Sequence, residues 1–517
     1  MTRDPTDDQA AVFAFLGRPD TFGVPAVERI DTHAAAVFLA GERAIKIKRA
    51  VKFPFLDFST LGKRKAACEA EIEINRRFAP ALYRGVVAIA KDDSGRLSLG
   101  GAGEPVEWAV EMRRFDENAT LDRLADRKEI DAGLADALGR AVAAAHAAAP
   151  AVEAAPWIAA LGDYIAQNER AFRERPDIFP PGPIDDLTAR ARRKLTDVTA
   201  LLHARGARGL IRRGHGDMHL GNIVLIDGRP VLFDALEFNA LVASGDVLYD
   251  LAFLLMDLVE RALPAAASIA FNRYLAETGR PEDYDALAAL PLFLSLRAAI
   301  RAKVTAAKPA AAGSTQAQAI ARSARTYFDW AVRFLAPCTP TLIAVGGLSG
   351  TGKSVLARAL APFVAPAPGA VLLRSDVVRK TLHGRQETER LPGEAYRPEA
   401  TRAVYATLIE RATRILAAGH STIADAVYAT EAERHAIESV AHNAGAAFHG
   451  LFLTADLKTR IARVGARTAD ASDADAAVAH RQESYRLGTI GWTEVDASGT
   501  PEETLAKART ALGLKPD

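Results

Sequence analysis

The sequence predicts two mixed architectures in tandem: an α+β first part and an α/β second part built on a parallel sheet. Three observations predict this. Short apolar runs separated by turn residues fill the stretch from about Val27 to Met112. Long Ala- and Leu-rich helical stretches run from Thr120 to about Phe334. After Pro337-Cys-Thr-Pro340 stops the last of these, apolar strands alternate with helical segments, which is the pattern of a parallel sheet. The main boundary falls near residue 338, so segments 1–335 and 336–517 are expected as domains, and no internal repeat relates them.

In the first segment, Ala36-Val-Phe-Leu39 and Ala44-Ile-Lys-Ile-Lys48 flank Gly41 as a hairpin. Leu61 to Phe78 is charged and helical in period. Val86–Ala90, Leu97–Leu99 and Trp108–Met112 read as strands between Asp-Asp-Ser-Gly and Gly-Gly-Ala-Gly turns. These make a strand-rich lobe of about 25–115, followed by a helical lobe of about 119–335 that is interrupted by Gly214–Phe238 and by the Ala-rich break Ala307–Ala317. In the second segment the expected strands are Leu342–Val345, Val371–Leu373, Thr422–Ala424 and Phe448–Leu453.

Composition excludes several classes. With 49% hydrophobic and 25% charged residues among 517, the chain is globular rather than disordered. Its two cysteines, Cys68 and Cys338, rule out a disulfide scaffold and a cysteine-rich zinc site, and fit a reducing compartment. The polar, acidic start lacks the pattern of a signal peptide, and no apolar run reaches about 18 residues. A cytoplasmic protein without a membrane partner is expected. The net charge of +1 gives no dominant basic face for nucleic acid. Oligomeric state is not readable from the sequence.

The first chemical signal is Gly347-Leu348-Ser349-Gly350-Thr351-Gly352-Lys353-Ser354, which matches G-x-x-x-x-G-K-[ST]. An apolar strand, Thr341–Val345, enters it and an amphipathic helix, Val355–Val364, leaves it. The glycines let successive N–H groups turn toward phosphate oxygens, and the helix amino terminus adds positive potential. Lys353 is expected on the β- and γ-phosphates and Ser354 on Mg²⁺. Asp376 follows the next strand in Arg374-Ser375-Asp376; a carboxylate there can face the phosphate crevice and deprotonate an acceptor hydroxyl. An ordinary helix cap is the alternative. Arg379 can hold phosphate or acceptor charge. Asp425, ending the strand after it, suits the Mg²⁺ shell. Arg460, Arg463 and Arg467 lie at i, i+3 and i+7, so they share a helix face that can close over a triphosphate; a solvated basic face is the alternative.

The second signal is His215-Gly-Asp217-Met-His219-Leu-Gly-Asn222. Asp217 and Asn222 have the D-x4-N spacing of a kinase catalytic loop, in which the Asp accepts the hydroxyl proton and the Asn ligands Mg²⁺. Ile223–Ile226 and Val231–Phe233 flank Asp227-Gly228, a hairpin turn that brings Asp234 back beside Asn222. Asn222 and Asp234 can then share the ion. His215 and His219 are expected to support the loop, because Gly216 and Gly221 argue against a zinc-binding helix. Asp246 and Asp250 are candidates to buttress it, with a helix cap or a surface charge as the alternative for either.

These residues carry two resemblances. Residues from about 341 to 500, through Gly347–Ser354, Arg374-Ser-Asp376, Arg379, Asp425, the arginine helix and Asp470-Ala-Ser-Asp473, resemble the small P-loop kinases of the AAA_33 and zeta-toxin type. Members of that group phosphorylate small-molecule, nucleotide-sugar or polynucleotide hydroxyls. Residues of about 25–335 resemble the aminoglycoside phosphotransferase and choline-kinase-like family, with its H-G-D-x-H-x-x-N loop and a D-x-x-E-like Asp234-Ala-Leu-Glu237. The resemblance implies a bilobal protein-kinase-like fold in segment 1–335 and a P-loop NTPase sheet with helices on both faces in 336–517. It also implies that Lys46 binds the α- and β-phosphates and pairs with Glu71. Lys48 and Glu69 compete for these roles, since lysines two apart on a strand face one side. Adenine would meet the backbone of Glu111 to Arg113. The covering loop Asp31–Ala36 departs from the family in having no glycine.

The expectation is therefore ATP- and Mg²⁺-dependent phosphoryl transfer to a hydroxyl of a small molecule, with two sites on one chain. A non-catalytic binding module in the first segment is the alternative. A polynucleotide 5′-hydroxyl kinase is another, kept open by the basic run Arg374 to Arg402, which glutamates dilute.

Overall fold

The computed structural model describes residues 7–32, 34–53, 56–237, 239–311, 313–466 and 471–514. The chain forms two compact units that are discontinuous in sequence. One comprises residues 1–161 and 202–257, the other 162–201 and 258–517. Sequence texture placed the boundary near 338, but helices of the 258–335 stretch group with the parallel sheet. Among the described residues no helix is long and apolar enough to cross a membrane.

The first unit holds a six-stranded antiparallel sheet in the order Val27–Asp31, Ala35–Ala40, Arg43–Lys48, Glu104–Arg113, Tyr83–Lys91, Leu97–Leu99. The hairpin about Gly41 forms as expected, with φ of +57° at the glycine. The edge strand Val27–Asp31 is missing from the sequence expectation because Val-Glu-Arg-Ile-Asp is polar and wholly half-buried or exposed. Helix Leu61–Asn75 starts at Thr60, whose hydroxyl accepts from Lys63 N at 3.3 Å. It lays Cys68 and Ile72 on Tyr83, Val110 and Met112 of the sheet. The opposite face buries Phe38, Ile45, Ile47 and Ile89 against Val12, Phe15 and Leu16 of helix Asp7–Leu16. A buried ion pair fastens these layers: Arg64 Nη2 lies 2.8 Å from Glu107 Oε2, which also accepts from Gln9 Nε2 at 2.8 Å.

The second unit is built on a parallel sheet in the order Val371–Arg374, Thr422–Asp425, Thr341–Gly347, Ala447–Thr454, Thr493–Asp496. The last strand, largely exposed on its own residues, was not expected from its polar sequence Thr-Glu-Val-Asp. From the central strand Thr341–Gly347 the chain runs to the edge at Val371–Arg374, returns through Thr422–Asp425, and then crosses to Ala447–Thr454 and Thr493–Asp496 on the other side. Leu356, Ala357 and Leu360 of helix Lys353–Leu360 pack with Ala508 of helix Pro501–Ala511 on Ile343, Val345, Ile423 and Leu451. Because the central strand marks a switch in strand direction of travel, the crevice at the strands' carboxyl ends is the natural ligand position.

Candidate functional site

In the second unit, Gly347, Arg374 and Asp425 all stand at the carboxyl ends of sheet strands. The loop from Gly347 to Gly352 curls as the glycines allow. Gly350 has φ of +88°, and a Cβ there would sit 2.5 Å from Arg460 O, so only glycine fits. Ser349 N donates to Gln482 Oε1 at 2.7 Å and Thr351 Oγ1 donates to Leu348 O at 2.8 Å, which fix the curl. Lys353 Nζ donates to Leu348 O at 3.2 Å, across the loop it would share with phosphate. Ser354 Oγ donates to Asp425 Oδ2 at 2.5 Å. Two hard oxygen donors in contact, one of them a carboxylate, fit Mg²⁺.

A cavity of about 960 Å³ opens on this loop and is lined by Lys353, Ser354, Asp376, Asp425, Arg379 and Arg463. Asp376 lies in the first turn of helix Ser375–Leu382. Burial pushes its carboxyl above the ordinary range, the Asp425 carboxylate adds to this, and Ser472, Lys353 and Arg374 oppose it. A base with a raised pKa is better matched to taking a proton near neutrality. Arg379 Nη1 donates to Ala395 O at 2.6 Å, and its guanidinium lies 4.9 Å from the Tyr396 ring centre. Tyr396, Thr401, Tyr405, Arg481 and Gln482 join the lining; nothing in their sequence spacing marked them.

The arginine helix does not present one basic face to the cavity. Arg460 is 2% exposed, donates through Nε to Ser349 O at 2.9 Å and pairs with Glu483, so it braces the loop from beneath instead of facing a triphosphate. Helical spacing fixed which residues share a face, not what the face meets. Arg463 reaches the cavity lining while Nη2 donates to Gly499 O at 2.7 Å. Arg467 and Asp470 lie outside the described residues. Lys380, part of the basic run, is buried on Asp473 at 2.7 Å.

In the first unit, Lys46 Nζ donates to Glu71 Oε1 at 2.9 Å and to Asp234 Oδ1 at 2.6 Å. Lys48 Nζ sits 2.5 Å from the other Glu71 oxygen and also pairs with Glu237. Both lysines thus converge on Glu71, while Glu69 pairs with Lys65 at 3.8 Å. Burial alone would lower the Lys46 pKa, but Asp234 and Glu71 outweigh it and hold the ammonium well above its usual value. Burial would raise Asp234, and Lys46 overrides it downward.

Local geometry brings Asp217, Asn222 and Asp234 to one place. Strands Ile223–Ile226 and Arg229–Leu232 pair about Asp227 and Gly228, which have φ of +50° and +73° as a tight hairpin turn requires. Phe233 N donates to Asn222 O at 3.0 Å, which leaves Asp234 one residue past Asn222. Asn222 Nδ2 donates to Asp217 O at 2.9 Å and to Asp217 Oδ2 at 3.1 Å. Asp250 accepts from His215 N at 2.8 Å and Gly216 N at 3.0 Å, buttressing the loop; Asp246 instead binds Arg205 at 2.5 Å. His215 Nε2 meets Phe233 O at 2.8 Å, and burial lowers its pKa, which keeps it a neutral support. At the end of the stretch expected to meet adenine, Arg113 N donates to Leu82 O, and just beyond it Arg114 N donates to Glu42 O, both at 2.8 Å.

Comparison with known proteins finds two domains along the chain. Residues 41–290 match the family model described as the phosphotransferase enzyme family, APH, and residues 342–487 match AAA_33, an AAA domain. Uncharacterized proteins of Mycobacterium tuberculosis (strain ATCC 25618 / H37Rv) and Mycobacterium bovis (strain ATCC BAA-935 / AF2122/97) are each 29% identical over 499 residues, 94% of this chain and 95% of theirs. Among solved structures, a choline/ethanolamine kinase family protein from Mesorhizobium loti aligns at 17% identity with a TM-score of 0.35, covering 64% of this chain and 99% of that one. A gluconokinase from Sinorhizobium meliloti 1021 aligns at 21% identity with a TM-score of 0.25, covering 34% and 94%. The chain carries an APH phosphotransferase domain of kinase-like fold at residues 41–290, followed by an AAA_33 P-loop domain at residues 342–487.

Proposed function

We propose that this protein is an ATP- and Mg²⁺-dependent phosphotransferase that moves the terminal phosphoryl group to a hydroxyl of a small-molecule acceptor, with segments 1–335 and 336–517 as its two domains. The observation that carries the reading is the convergence of Lys353, Ser354, Asp425 and Asp376 on one cavity of about 960 Å³, a volume suited to a nucleotide and a small acceptor. The loop amides and Lys353 bind the β- and γ-phosphates. Ser354 and Asp425 hold Mg²⁺, which when bound neutralises charge on the phosphates. Asp376 takes the proton from the acceptor oxygen as that oxygen attacks phosphorus, and ADP leaves. Arg379 and Arg463 supply positive charge beside the transferring group.

At the second site, Asp217 takes the acceptor proton, Lys46 moves from Asp234 to the α- and β-phosphates, and Asn222 with Asp234 holds the ion. The competing reading of the first segment, a binding module without turnover, is favoured by the glycine-free Asp31–Ala36 turn and the hydrogen-bonded backbone at Arg113 and Arg114. The nucleic-acid alternative is weakened because two residues of the basic run, Arg374 and Lys380, are buried against Glu387 and Asp473.

The test is an acceptor screen read by ADP release, with Lys353→Ala and Asp217→Asn run in parallel. Each substitution is expected to remove a separable part of the activity. Unchanged turnover in both variants contradicts the two-site proposal, whereas loss only with Lys353→Ala assigns the first segment to binding.

A further inference from the structure

Strand Val371–Arg374 lies at the edge of the parallel sheet. An edge strand leaves a row of backbone groups without a neighbour. Here the neighbour is a side chain. Asn272, on helix Pro264–Thr278, donates through Nδ2 to Ala370 O at 3.1 Å and accepts through Oδ1 from Leu372 N at 2.7 Å. The carboxamide makes the donor and acceptor bonds that another strand would make. The residue beside it, Arg273, donates through Nη1 to Glu387 Oε2 at 2.8 Å. The other oxygen of Glu387 accepts from Arg374 Nη1 at 3.2 Å. Arg374 Nε in turn stands 3.7 Å from Asp425 Oδ2, the oxygen that accepts from Ser354.

The charges alternate along this line: cation at Arg273, anion at Glu387, cation at Arg374, anion at Asp425. Arg374 and Asp425 are buried, where neighbouring charges act on each other more strongly than in water. Glu387 holds the Arg374 guanidinium short of full contact with Asp425. Without that restraint the guanidinium closes on the carboxylate and competes with a metal ion for the same oxygen. Arg273 keeps Glu387 in place, and Asn272 keeps the strand that presents Arg374, Ser375 and Asp376 in register.

We infer that Asn272 and Arg273 are positioning residues of the P-loop site, acting through the edge strand and the Glu387–Arg374 pair to keep Asp425 available to Mg²⁺. Uptake of the ion with nucleotide then depends on a helix that lies upstream of the P-loop segment. The inference rests on the reading of Ser354 and Asp425 as the Mg²⁺ ligands.

The experiment is calorimetric titration of the full chain with ADP, first in EDTA and then across a series of Mg²⁺ concentrations. Wild type, Arg273→Ala, Arg273→Lys, Glu387→Gln and Asn272→Ala are compared. Arg273→Ala and Glu387→Gln are expected to need at least about fivefold more Mg²⁺ for the half-maximal gain in ADP affinity, the low end of coupling between sites. Affinity in EDTA stays unchanged, and Arg273→Lys restores most of the Mg²⁺ response. A general loss of packing would lower affinity in EDTA as well, which overturns the positioning role. Wild-type Mg²⁺ dependence in both Arg273→Ala and Glu387→Gln overturns the inference while leaving the Mg²⁺ site standing. A wild-type protein whose ADP affinity ignores Mg²⁺ overturns the site and the inference together.

Discussion

Glu71 shows how one buried carboxylate joins two lysines that strand spacing leaves equivalent. Its two oxygens take Lys46 and Lys48 at 2.9 and 2.5 Å, fully out of solvent. Glu71→Gln leaves Lys46 with Asp234 and buried Lys48 with Glu237 as remaining counter-charges, and the loss of the charge-assisted bonds to Glu71 is expected to cost about 1–3 kcal/mol, read by urea unfolding. His420 gives a pH-dependent counterpart in the second unit. It is buried against Phe271, Nε2 meets Gly369 O at 3.0 Å, and burial lowers its pKa to about 4. The folded state therefore binds the proton less readily than the unfolded chain. Its contribution is complete above about pH 6.5 and is lost as pH falls toward 4, by ~3 kcal/mol in total. Thermal midpoints measured from pH 8 to 5 are expected to fall, and His420→Gln is expected to flatten the slope. Neither residue's role was legible in sequence: the Lys46–Glu71 pairing came from family resemblance, and His420 is a lone histidine before a strand.

At the scale of elements, local signals were readable and facing was not. The glycine loop and the Asp227-Gly228 hairpin appear where the sequence puts them, since each is set by backbone requirements of adjacent residues. Gly350→Ala places a Cβ against Arg460 O and forces a strained φ, a penalty of about 1–3 kcal/mol. ADP affinity is expected to fall at least about tenfold, the equivalent of roughly 1.4 kcal/mol. Gly384→Ala, at φ of +62° with open space, is a control that is expected to keep nucleotide affinity while losing about 1 kcal/mol of stability. The Arg460 helix and the edge strand show the limit. Period identifies a face, but only tertiary packing decides that Arg460 points under the loop and that Asn272 serves as a strand.

At the scale of the whole molecule, the fold class was legible because texture changes abruptly near residue 338 and each half has its own periodicity. The compact units were not, because tertiary contacts group residues 162–201 and 258–335 with the parallel sheet. The proposed phosphoryl transfer in the P-loop cavity depends on Asp376 as its base. Its most direct measurement is transfer from γ-labelled ATP by Asp376→Asn beside wild type, using an acceptor found in the screen. ADP and phosphorylated acceptor are predicted to form in equal amounts, and Asp376→Asn is predicted to bind nucleotide normally while losing at least about 100-fold in kcat. Wild-type turnover by Asp376→Asn would contradict the account.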